Sequence, residues 1–176
     1  MVGEASPGWV RRTPPSATMR GVVRGRCRVD GGEDRQRREH AQRPVPAYRF
    51  EWRGAFDNAS VNALHAEAFG HELLEYDWED QFRTHSLGWV CAYDDEGLVG
   101  FVNVPWDGGS HAFIMDTVVS PRARRRGVGT RLVAAAVAGA RAAGCEWLHV
   151  DFEDHLQPFY FDACGFKPTN AGLIAL

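Results

Sequence analysis

Nine consecutive residues, Pro121 to Gly129 (PRARRRGVG), hold four arginines and two glycines. Those are the residue types of an anion site. Gly127 and Gly129 permit a tight turn that leaves backbone amides exposed. Arg122, Arg124, Arg125 and Arg126 supply positive charge around it. If a helix starts at this turn, its first N–H groups have no partner and its dipole places partial positive charge there. Amides, dipole and guanidinium groups together suit a diphosphate.

The flanking residues position that loop. His111 to Val119 (HAFIMDTVV) is rich in apolar and β-branched residues and predicts a buried strand, which Pro121 ends. From Thr130, the residues Leu132, Val133, Ala136, Val137 and Ala140 recur at helical spacing. The loop is not a P-loop, because Thr130 follows Gly129 with no Gly-Lys-Ser/Thr. It is not a dinucleotide fingerprint either, because Leu132 stands where the third glycine would be.

The chain reads as one domain, residues 47–176, with an N-terminal extension. Residues 1–46 carry ten arginines against five acids, with many Gly and Pro and no periodicity. They are expected to be a disordered extension, because they cannot bury enough surface to offset chain entropy. Either a basic arm or a passive tail fits them. Residues 47–176 carry ten basic residues against eighteen acids. That acidic body argues against a duplex-binding surface and suits a cationic or amine substrate.

The opening residues have no apolar core of a secretory leader, and no apolar run is long enough to span a membrane. Cys27, Cys91, Cys145 and Cys164 form no Cys-x-x-Cys pair, so reduced thiols and a cytoplasmic location are expected. No His-x-x-x-His pair suggests a metal.

In chain order, Tyr48 to Trp52 alternates as a first strand, and Asp57 or Asn58 caps a helix to about Phe69. A second, acidic helix is expected over Leu73 to His85. Leu87–Tyr93 and Leu98–Val104 form a hairpin, and the strand at His111 follows. After the helix at the arginine loop, Glu146 to Phe152 is a strand reached by a crossover, hence parallel to the one before. A short helix spans His155–Cys164, and Leu173–Leu176 suggests a last strand. The reading is an α/β (α+β-like) fold with a mixed central sheet of about six to seven strands and about four helices.

Val119-Ser120-Pro121 followed by Arg124-x-x-Gly127-x-Gly129 resembles the acetyl-CoA motif of the GCN5-related N-acetyltransferase (GNAT) superfamily. Phe159-Tyr160 before Gly165-Phe166 resembles the family's second signature, and the resemblance covers residues 47–176. It implies acetyl-CoA as cosubstrate, with no metal. The backbones of Val118 and Val119 would hold pantetheine. The amides of Arg126, Gly127, Val128, Gly129 and Thr130 would hold pyrophosphate, with Arg124 and Arg125 beside them. It implies acetyl transfer to an amine acceptor, most readily a small molecule, by direct attack in a ternary complex. A homodimer is compatible with it. An acyl-CoA-binding regulatory domain of the same fold is the alternative.

In this family a tyrosine commonly protonates the leaving thiolate, which makes Tyr160 the candidate acid. The usual spacing is four residues before the glycine, however, and Tyr160 stands five before Gly165. For the base, Asp116 is a charge inside an apolar strand and needs a partner or a task. Asp151 and Glu153 alternate with apolar residues beyond His149 and are the other candidates. The strand glutamate that histone-acetylating members use as base falls on Phe113.

Overall fold

The computed structural model describes residues 47–175. The expected disorder of residues 1–46 lies outside the described residues. Five strands form one sheet in the order β1-β2-β3-β4-β5. They are β1 Arg49–Trp52, β2 Ser86–Asp94, β3 Gly97–Pro105, β4 His111–Val119 and β5 Trp147–Val150. Successive pairs through β4 are antiparallel, and β4 and β5 are parallel. The sheet is therefore mixed, with fewer strands than the six to seven expected. The missing strand is the C-terminal one, since Leu173 and Ile174 are 90% and 83% exposed and unpaired with the sheet.

Helices α1 (Asn58–Phe69) and α2 (Trp78–His85) lie on one face, and α3 (Val128–Ala142) lies on the other. Strand alternation decides which side chain meets which layer. On β2 and β3, Val90, Ala92, Val102 and Val104 join the α3 core with Leu132, Val133 and Ala136. Cys91 and Phe101 point the other way, to Val61, Leu64, Trp78 and Phe82. Trp52 locks α3 to the sheet. A Cβ at either Gly88 or Gly139 would come within 2.4 Å of its ring, so those two glycines make its slot.

The acidic helix is shorter than expected and starts at Trp78, not Leu73. Asn62 is the cause. Its side chain accepts from the Tyr76 amide (3.2 Å) and the Trp78 indole (2.8 Å), and donates to the Tyr76 carbonyl (3.0 Å). Those bonds hold the residues before Asp77 outside a helix. Asp77 then caps α2 by accepting from the Asp80 amide. Among the described residues no helix is long and apolar enough to cross a membrane.

Candidate functional site

The site is made where β4 and β5 part. Their parallel register runs from His111↔Trp147 to Ile114↔Val150 and stops there. β4 then bulges. Phe101 pairs with Val118 and Asn103 with Met115, so Asp116 and Thr117 oppose one residue of β3. Asp116 supplies the kink with φ +52°, a conformation in which Asp is among the better-tolerated residues. The bulge also reverses the strand's faces. Ile114 belongs to the α3 core, whereas Val118 belongs to the α1–α2 core.

Beyond β4 the chain makes a 3₁₀ turn, Pro121–Ala123, and enters the arginine loop. Arg122 ties the turn to the β2–β3 hairpin through an ion pair with Asp94. Burial works to raise the Asp94 pKa, but Arg122 and the amides of Glu96 and Gly97 outweigh it and hold the carboxylate low. Arg125 (φ +57°) and Gly127 (φ +76°) are both left-handed. Gly127 is the N-cap of α3, and no side chain caps that helix. The first helical bond runs from the Arg131 amide to the Gly127 carbonyl at 3.1 Å. The amides of Val128, Gly129 and Thr130 therefore precede the hydrogen-bonded ladder and are left for a ligand. A Cβ on Gly127 would meet nothing within 4 Å, so the cradle is open.

These amides face a cleft of about 470 Å³ lined by Thr117, Val118, Val119, Arg124, Arg125, Gly127, Val128, Gly129 and Thr130. Phe159 and Tyr160 close it from the C-terminal segment, and Ala68 and Phe69 from α1. Eight of the nine residues expected to hold the cofactor thus share one wall. The exception is Arg126, which is exposed and does not line the cleft. Arg124 also makes contacts within the protein. Its guanidinium donates to the Val119 carbonyl (3.0 Å) and the Ala68 carbonyl (3.4 Å), bridging the end of β4 to the end of α1.

Tyr160 is only 5% exposed. It stacks on Phe152 at 4.6 Å and meets Phe159 edge-on at 4.8 Å. Its segment, Pro158–Ala163, is π-helical, and the Cys164 amide bonds the Phe159 carbonyl five residues back at 3.0 Å. A π turn accommodates one more residue than an α turn, and such turns recur at functional sites. It absorbs the extra residue between Tyr160 and Gly165. Burial pushes the Tyr160 pKa up, with help from Cys164 and Asp151 and against the pull of the Thr117 hydroxyl. The phenol is therefore protonated over the neutral range. Thr117 Oγ1 is buried near that phenol without a fully formed hydrogen bond.

The candidate bases are scattered. β5 ends at Val150, so Asp151 and Glu153 lie past the strand and are exposed, and Glu153 contacts His155 at 3.2 Å. His149 is on β5 and does not line the cleft; it lies 2.7 Å from His111 and stacks on Phe113. Asp116 is partly covered, with His65 of α1 3.7 Å away. His65 in turn contacts His71 at 2.7 Å. Sequence reasoning passed over both histidines. They stand six apart, which is not a helical repeat, and they meet because Gly70 turns the chain back at φ +71°. Among the described residues no group of three His, Cys, Asp or Glu could hold a metal ion.

Comparison with known proteins agrees with this architecture. A probable acetyltransferase from Staphylococcus aureus superposes with a TM-score of 0.61 at 18% identity, covering 74% of this chain and 98% of its own. A GNAT family protein from Streptococcus pneumoniae gives 0.61 at 20%, covering 74% and 98%. An aminoglycoside N-acetyltransferase solved in complex with CoA gives 0.59 at 17%, covering 76% and 96%. At such identities the likeness is one of fold. No curated protein sequence matches the chain. The sequence profile of the acetyltransferase (GNAT) family matches residues 46–166, well over half the length, and the chain belongs to that family.

Proposed function

We propose that the protein is an acetyl-CoA-dependent N-acetyltransferase that delivers an acetyl group to a primary amine by direct attack in a ternary complex. The observation that carries this reading is the uncapped N-terminus of α3 opening into the same cleft as Tyr160. A diphosphate fits the free amides of Val128, Gly129 and Thr130 and the positive charge of Arg125. The backbone of Val118 and Val119, on the divergent end of β4, is where a pantetheine arm would run.

The reaction then needs three things from this chain. A base must strip the acceptor nitrogen, because an ammonium has no lone pair to attack with. A backbone N–H must steady the tetrahedral oxyanion. An acid must protonate the departing sulfur, and the buried, protonated phenol of Tyr160 suits that task. Asp116, Asp151 and Glu153 are the carboxylates available for the first; Asp116 precedes Thr117 of the cleft wall, and Asp151 is near enough to act on the Tyr160 phenol. Residues 1–46 form a separate extension in this reading, and the whole acts as a soluble cytoplasmic enzyme.

Calorimetry with acetyl-CoA, followed by thiol release over an amine panel, tests the proposal. Binding with turnover supports it. Binding without turnover of any amine leaves an acyl-CoA-binding sensor, and no binding of any acyl-CoA refutes the reading.

A further inference from the structure

Where α1 and the loop after it meet the β4 bulge, three side chains are connected in a way the cofactor cleft does not require. The Glu72 carbonyl lies 2.6 Å from Nδ1 of His71. A carbonyl only accepts, so that nitrogen carries the proton, and neutral His71 offers its lone pair at Nε2. His65 Nδ1 lies 2.7 Å from that Nε2 and donates to it. Neutral His65 then has one lone pair left, at Nε2, and it faces Asp116 Oδ1 across 3.7 Å. At 3.7 Å the two are not hydrogen-bonded, and a proton taken up between them would draw them into one bond.

We propose that His65, held in this tautomer by His71 and the Glu72 carbonyl, is the store for the proton that Asp116 removes from the acceptor amine. The inference rests on the amine-acetylation reading and assigns its missing base. Asp116 precedes Thr117 of the cleft wall, and the His65 ring lies 4.5 Å from Phe69, also of that wall. The side chains of His65 and Asp116 are 19% and 25% exposed, so both are partly open from outside.

His65 also starts empty. Burial pulls its pKa down, Asp116 pulls it up and His71 pulls it down again, with a net lowering. The titratable groups facing it are Asp116 from β4 and His71 from the loop after α1. α2 presents only the uncharged Trp78, 5.3 Å from its ring. The Arg124 guanidinium sits at the Ala68 carbonyl, one turn along α1.

The step balances. A bound ammonium gives one proton to the Asp116 carboxylate, which passes it to His65 Nε2. The freed nitrogen attacks the thioester carbon, a C–N bond forms, and the C–S bond breaks with its electron pair on sulfur. Tyr160 protonates that sulfur and is reprotonated by the second proton of the nitrogen. Once the product has left, His65 returns the proton from Nε2 to solvent by way of Asp116, which restores the starting tautomer. His65 acts through Asp116 and is a positioning residue.

The test uses the full chain and the variants H65Q and D116N. Acetyl-CoA affinity is measured by calorimetry. The pH profile of kcat/KM is measured with whichever of spermidine, tyramine, glucosamine or a lysine peptide the wild type turns over best. Both variants should lose about 100-fold in kcat/KM near neutral pH, the scale of a lost acid–base group. Their acetyl-CoA affinity should stay within about twofold, because neither residue is at the cradle. In H65Q the wild-type acid limb should be replaced by a rate that climbs with the amine's own deprotonation and approaches wild type at high pH, where the amine is already neutral in solution. An H65Q enzyme with the wild-type rate and limb overturns the relay and leaves the acetyltransferase reading standing. A wild type that binds acetyl-CoA but turns over no amine overturns that reading, and the relay with it. If H65Q does not fold, as lost acetyl-CoA binding would reveal, D116N carries the test, since Asn tolerates the positive φ of that position.

Discussion

The two sides of the cleft are built from different materials. The proposed cofactor side comes from one stretch of chain, Val118 to Thr130, and would work chiefly through backbone. Its amides are freed by an uncapped helix and shaped by two left-handed residues. The acceptor side is assembled from side chains on separate segments. In the proposed mechanism His65 comes from α1, Asp116 from the β4 bulge and Tyr160 from the π turn. A backbone site depends on which residues permit a turn, and its polar groups are the same in every sequence. A side-chain site depends on where distant turns deliver particular atoms. The first therefore tolerates changes in side chain and fails when its conformation is blocked. The second fails when one functional group is lost, even though the backbone is intact.

The largest effect should come from the side-chain half. Tyr160→Phe removes one oxygen and keeps the stacking on Phe152. The expected result is a loss of about 100-fold in kcat with the KM for acetyl-CoA unchanged, because in the proposed mechanism the phenol acts on the leaving sulfur. The pH dependence has a definite sign. Burial raises the Tyr160 pKa above its ordinary 10.0, so the acid stays loaded through neutral pH and unloads only in strong base. Loss of wild-type activity between about pH 8 and 9 would assign the acid to some other group. Steady-state kinetics on both proteins decides it.

The backbone half breaks at Gly127. Its Cβ would have room, so a substitution there tests conformation and not bulk. Gly127→Val places a β-branched residue at φ +76°. A left-handed cost of about 2 kcal/mol, or rearrangement of the cap to avoid it, should weaken acetyl-CoA binding about 30-fold. Gly127→Asn, which tolerates that region, should recover most of the loss. Equal affinities for the three proteins in calorimetry would mean that the loop's conformation does not matter, and the contrast between the two halves would collapse.

This contrast also accounts for what the sequence disclosed. The motif Arg-x-x-Gly-x-Gly between an apolar strand and an alanine-rich helix was readable because every part of the cradle is local. The β4–α3–β5 crossover was readable for the same reason. Three features were not. The bulge at Asp116 leaves no period of its own, and a residue that appeared as an odd charge in a strand is the residue that reverses its faces. The start of α2 is set by Asn62, fourteen residues ahead of the loop it restrains, so local propensity over Leu73–Asp77 misled. The meeting of His65 and His71 depends on the left-handed Gly70, and nothing in their spacing signals it. The off-register Tyr160 was visible as an anomaly, and the π turn is its resolution.

The smallest expected effect separates two neighbouring arginines that look alike in sequence. Arg124 bonds the carbonyls of Val119 and Ala68, so it holds the end of β4 against α1 at the mouth of the cleft. Removing a charged donor from two carbonyls costs on the order of 1.5 kcal/mol, so Arg124→Ala should weaken acetyl-CoA binding about tenfold. Arg126 is exposed and outside the cleft wall. Its charge acts at long range through solvent, so Arg126→Ala should change the affinity by about twofold or less, and that difference should shrink as salt is raised. If instead Arg126→Ala is the more damaging at high salt, the guanidinium groups recognise the phosphates directly and with their order reversed. The cofactor side would then be a side-chain site as well, and the division between the two halves of the cleft would have to be redrawn.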